Sequence, residues 1–142
     1  MSAPSAPARP PQTAHRLDPR WYWAGMLPFL VIFVGSVALT FGDLDATRAE
    51  TVALGYPAFV VVPQGIAKVA GLVAVLWPRW PLLTGLAFAG FLYDVVLALA
   101  AHLVKGDDPG GIALAVAGLA AVVLAFAVHR ARFPGGGSTI TR

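Results

Sequence analysis

No cysteine occurs in the 142 residues. Disulfides, thiolate-held metals and dithiol redox chemistry are thereby excluded, and any electron transfer would need a bound cofactor. Charge is scarce as well, at 12% of residues, where a soluble domain carries about a quarter. Together with 58% hydrophobic residues and a mean hydropathy of +0.74, this excludes a soluble globular domain. Segments of alternating polarity are missing too, and without them a transmembrane barrel has no basis. The ten basic residues are scattered rather than clustered on a motif. The high pI, near 9.8, therefore does not point to nucleic acid.

What the chain does have is four long apolar stretches, about Trp23 to Phe41, Pro57 to Trp77, Leu82 to Val104 and Ile112 to Val128. Each is near the length of about 17 to 25 residues that a helix needs to cross the hydrocarbon core. The predicted fold class is all-α, an integral membrane four-helix bundle. A cleaved signal peptide would need a shorter apolar core and a small-residue cleavage site, so the first stretch reads as a retained span. The expected organisation is a disordered segment over 1–20, a transmembrane domain over 21–133 and a disordered tail over 134–142. Both ends are too rich in Pro, Ala, Ser or Gly to bury apolar area.

Basic residues set the threading. With both termini cytoplasmic, that side holds Arg9, Arg16, Arg20, Arg79, Arg130, Arg132 and Arg142, and the other side only Arg48 and Lys105. The positive-inside rule selects this orientation, and a plasma membrane is the expected location. Trp21, Trp23, Trp77 and Trp80 all fall at the same interface, where indole rings anchor. Between the first two spans, a short surface helix is expected with Asp45 as its N-cap and Gly55 as its stop. The Pro78-Arg79-Trp80-Pro81 turn and the Lys105 to Gly111 loop are short enough to make their flanking spans antiparallel neighbours. No internal repeat supports an inverted-repeat transporter.

Two ionisable residues break the apolar runs: Lys68 in the second and Asp94 in the third. Counted from the Pro78 to Pro81 turn, Lys68 lies about 15 Å deep, Asp94 about 20 Å and Gln64 about 21 Å. The three side chains are therefore expected to meet as a buried pair with an amide beside it. Intramembrane charges survive only when paired, facing protein or water, or used. Three readings stand side by side: a device that fixes helix register, a ligand contact, and Lys68 or Asp94 reaching water alone.

His102 follows Asp94 by eight residues. Steps of four overshoot one helical turn by about 40°, so Gly90, Asp94, Ala98 and His102 form a winding ridge on which His102 is not against Asp94. Two readings of His102 stand, a cavity mouth and an interfacial histidine held by a backbone carbonyl, the second being the commoner arrangement. His129 belongs to the other end of the bundle and His15 to the tail, so no bis-histidine haem is formed. No metal set is predicted; the trio of His102, Asp107 and Asp108 is weak. Gly65, Gly71 and Gly90, with Ala113, Ala117, Ala121 and Ala125 on the fourth span, are read as helix-packing residues. The alanine row is also a candidate homo-oligomer contact.

These residues, taken in order, form a pattern. Leu54-Gly55-Tyr56-Pro57, the spaced Gly65, Lys68 and Gly71, Pro78-Arg79-x-Pro81, Ala87-Phe88-Ala89-Gly90-Phe91, then Asp94, Ala98, His102 and Gly106-Asp107 resemble the DoxX-like family of small four-helix membrane proteins over about residues 24 to 130. The sequence departs from that family at Thr84-Gly85-Leu86, where relatives often carry a Lys-Glu-Trp-like stretch. The resemblance implies a four-helix bundle and, for the namesake branch, a membrane subunit associated with thiosulfate:quinone oxidoreductase. No cofactor is detectable from the residues themselves; a quinone is what the resemblance implies.

Three functions follow as expectations. The leading one is an accessory redox-linked subunit, inactive as an enzyme alone, whose Gln64, Lys68 and Asp94 line a cavity for a quinone-like headgroup or anchor a redox partner protein. The second is a small oligomeric carrier or channel, against which stand a first span without any acid and a Lys–Asp pair that neutralises itself. The third is a scaffold in the lipid bilayer without chemistry of its own.

Overall fold

The computed structural model of the chain describes residues 17–106 and 109–134. The segments expected to be disordered lie outside these residues, except for 17–20 and 134, as do Asp107 and Asp108. Five α-helices are formed, with no strand among the described residues. They are α1 (Pro19–Gly42), α2 (Leu44–Ala53), α3 (Val61–Leu76), α4 (Pro81–Lys105) and α5 (Pro109–Arg132), with a single 3-10 turn at Ala58–Val60 leading into α3. Counting that turn with α3, four helices are long and apolar enough to cross a membrane.

Local chemistry sets their ends. The Asp18 carboxylate accepts from the Arg20 amide at 2.8 Å, and Pro19, which has no amide to satisfy, opens α1. At the far end of α1 the chain breaks at Asp43, whose side chain accepts from the Ala46 amide at 2.9 Å and caps α2. The sequence reading assigned this cap to Asp45. Asp45 instead sits in the first turn of α2 and pairs with Arg48 at 3.1 Å, because the cap must have non-helical backbone angles and Asp43 is the residue at the break. Gly55 does end this segment, with φ +93°, a left-handed conformation that side chains resist. Gly106 does the same for α4 at φ +67°.

The spanning helices form a ring in the order α1, α3, α4, α5, each packed on its two neighbours. The α3–α4 turn is closed by Thr84, whose hydroxyl donates to the Ala74 carbonyl at 3.0 Å. A stack of rings fills the centre and crosses the ring of helices from α1 to α4: Phe29 against Phe91 at 5.0 Å and Phe33 against Phe91 at 4.5 Å between centroids. Lipid is as apolar as these side chains, so close packing rather than the hydrophobic effect holds the helices together.

Glycines permit that closeness. A Cβ at Gly65 would lie 2.8 Å from the Phe41 ring, one at Gly71 2.9 Å from the Phe91 ring, and one at Gly25 2.6 Å from Val128. Gly65 and Gly71 thus pack as expected. Gly90 does not, since a Cβ there would meet nothing within 4 Å. The alanine row of α5 is also split: Ala121 and Ala125 are buried, while Ala113 and Ala117 are exposed. Strict steps of four wind off an interface, and the buried face of α5 instead follows mixed steps through Ala115, Gly118, Ala121, Val122 and Ala125. The row is therefore divided between an exposed half and a half packed inside the bundle.

Trp21, Trp23, Trp77 and Trp80 are all exposed. They share one end of the bundle with Arg20, Arg79, Arg130 and Arg132, because α1 starts where α5 finishes: Arg132 donates to the Leu17 carbonyl at 2.8 Å.

Candidate functional site

In the first half of α3, Gln64 and Lys68 are one turn apart and share a face. On α4, Asp94 stands opposite. The Lys68 ammonium lies 3.1 Å from Asp94 Oδ2, and the Gln64 amide donates to Asp94 Oδ1. Both carboxylate oxygens are thus engaged. The side chains of Lys68 and Asp94 retain 15% and 17% of their surface, so the pair is shielded without being sealed. At this depth either charge alone would be expensive; paired, they cancel, and their hydrogen bonds offset much of the remaining desolvation.

A fourth residue completes the cluster. Lys68 also donates to the Ser36 hydroxyl of α1 at 3.2 Å, which ties three helices to one ammonium. The sequence reading missed Ser36. A serine in an apolar helix usually bonds back to its own carbonyls, and only the rotation of α1 against α3 turns this one toward Lys68. The available signal was depth, since Ser36 lies about 9 Å from the end of α1 at Gly42, in step with the middle of α3.

The pair stands at one end of a cleft of about 390 Å³ between α3 and α4. From Gln64 to Ala74 on one side and Leu83 to Asp94 on the other, it extends about 15 Å along the helices. Its walls are mostly small and apolar, including Ala67, Ala70, Ala87 and Gly90, and its lining includes the buried Phe91. Ala67, Ala70, Leu83, Leu86 and Gly90 are exposed on the outer surface of the bundle, so the cleft opens sideways toward lipid.

His102 does not line this cleft. It lies two turns farther along α4, partly buried, with its ring packed over Gly111 of α5, where a Cβ would come within 2.5 Å of it. The two aspartates once grouped with it are outside the described residues. His129 is buried at the tryptophan end, against Phe88 and Phe133 at 5.4 and 4.9 Å, as far from His102 as the sequence implied.

Four apolar spans in one ring around an aromatic core, with opposite charges joined between two of them, define a multi-span helical membrane protein. The chain belongs to the DoxX-like family, whose sequence pattern matches residues 24–127. That match takes in Ser36, Gln64, Lys68 and Asp94. No curated protein and no solved structure matches the chain. At the departure from the family pattern noted above, Thr84 here closes the α3–α4 turn.

Proposed function

We propose that the protein binds a neutral, membrane-dissolved amphiphile with a weakly polar carbonyl headgroup, of quinone type, in the α3–α4 cleft, and serves as an accessory subunit of a membrane redox complex. One observation carries this reading: a self-neutralised ion pair at the end of an apolar cleft that opens to lipid. Depth favours the ligand class. Lipids with charged heads keep them at the interface, because burying an unpaired charge is costly. A molecule whose polar group is content halfway across the bilayer must be nearly neutral.

In this reading Lys68 donates to the ligand oxygen, since an ammonium has three N–H groups and its contacts to Asp94 and Ser36 engage only two. Asp94 keeps Lys68 charged, and Gln64 and Ser36 hold both in place. Lacking cysteine, the chain supplies no thiol chemistry of its own, and in this reading a partner protein reduces or oxidises the ligand. The arginine distribution supports an orientation with both termini cytoplasmic, and the tryptophans mark that interface.

The test is binding of a short-tailed benzoquinone to the protein in lipid nanodiscs. Lys68→Met should weaken it about tenfold or more, the loss of one charge-assisted hydrogen bond. Unchanged binding in a folded Lys68→Met protein would defeat the proposal. A second reading, favoured by the Ser36 contact that joins α1 to the pair, makes the cluster a register device. Loss of protein abundance without loss of binding per molecule would select it.

A further inference from the structure

Gly90 is a helix-interior glycine without a packing role. A Cβ there would meet nothing within 4 Å, although glycine costs a helix about 1 kcal/mol relative to alanine. It lies on the cleft wall one turn from Asp94. Directly beside it, the Phe91 ring packs on Gly71 of α3, with only 3% of the residue exposed, and adds an aromatic edge to the cleft lining. The absent side chain at Gly90 and the small ones at Ala67 and Ala87 leave a shallow slot between this edge and lipid, with Lys68 at its end.

Resting on the quinone-type reading above, we infer that this slot selects a flat ring. The ligand slides in sideways from lipid between α3 and α4, its ring crosses over Gly90 against Phe91, and its carbonyl reaches Lys68. Gly90 is then a specificity-determining residue: any side chain there occupies the space of the ring while leaving the ion pair intact. An aromatic edge favours contact with a conjugated ring, whereas a flexible acyl chain has no need of one.

Gly85 provides an internal control. It is on the same helix, exposed, and equally open, with nothing within 4 Å of a Cβ, but it does not line the cleft. The experiment is photolabelling of the full chain in nanodiscs with a diazirine-tailed benzoquinone, beside a saturated alkyl diazirine of the same length, with thermal unfolding recorded for every variant. Wild type and Gly85→Leu should label alike with the benzoquinone, Gly90→Leu about tenfold less or lower, and Gly90→Ala between them. Full labelling of Gly90→Leu with loss in Lys68→Met overturns this inference and leaves the binding reading intact. Equal loss in Gly85→Leu and Gly90→Leu also overturns it, as a general disturbance of α4. Equal behaviour of the alkyl probe overturns the ring and identifies an acyl-chain groove. Retention in every variant, Lys68→Met included, removes the binding reading itself.

Discussion

Along the α1–α5 and α4–α5 seams glycines sit under bulky neighbours: a Cβ at Gly25 would meet Val128 at 2.6 Å and one at Gly118 would meet Val95 at 3.1 Å. Along the α3–α4 seam the same residue types enclose a space of about 390 Å³, and Gly90 faces it with nothing near. A small residue thus serves two ends, to bring backbones together or to hold them around a void. Which one applies depends on what stands opposite. Where Val or Phe stands across, as for Gly25, Gly118 and also Gly71 on the α3–α4 seam itself, the approach is tight; beside the charged pair at Gly90 it stays open.

The largest expected effect comes from unpairing the open seam. Asp94→Ala strands the Lys68 ammonium halfway across the bilayer and should destabilise the bundle by about 3 to 5 kcal/mol, read by denaturant titration in mixed micelles. The double variant Lys68→Met/Asp94→Leu should recover most of that loss, because two apolar groups need no partner. If the single and double variants are equally unstable, the pair is not what holds α3 to α4.

Next comes overfilling the tight seam. Gly25→Val must push Val128 aside and should cost about 1 to 3 kcal/mol, whereas Gly90→Ala should be neutral or slightly stabilising, by up to about 1 kcal/mol. Comparable losses at both glycines in thermal unfolding would erase the contrast between the seams.

The smallest effect sharpens the boundary between them. Ser36→Ala removes one hydrogen bond to Lys68 while leaving the ion pair, and should cost about 1 kcal/mol. A loss as large as that of Asp94→Ala would mean that α1, rather than Asp94, holds Lys68.

Much of this molecule was readable from the chain. The spans expected over 23–41, 57–77, 82–104 and 112–128 correspond to helices over 19–42, 58–76, 81–105 and 109–132. Most helix ends run past the apolar runs because caps and prolines at Asp18, Pro19, Pro81 and Pro109 start helices before hydrophobicity does. The pair of Lys68 with Asp94 was legible because an intramembrane charge demands a partner and only one of opposite sign lay at its depth. Asp43 was missed as a cap because two aspartates stand two residues apart, and nothing in the residue types says at which of them the backbone breaks. Ala113 and Ala117 were assigned to packing by spacing alone, which leaves the rotation of the helix undetermined.

Sequence alone determined the membrane class, the number of spans, the short antiparallel turn between α3 and α4, and the need for a buried neutral pair. These follow from quantities that vary along the chain: hydropathy, length, depth and charge. The third partner Ser36, the buried face of α5 and the opening beside Gly90 were decided only by the tertiary structure. Each depends on how far one helix is rotated against another, and a helix that is apolar on every side carries no record of that angle.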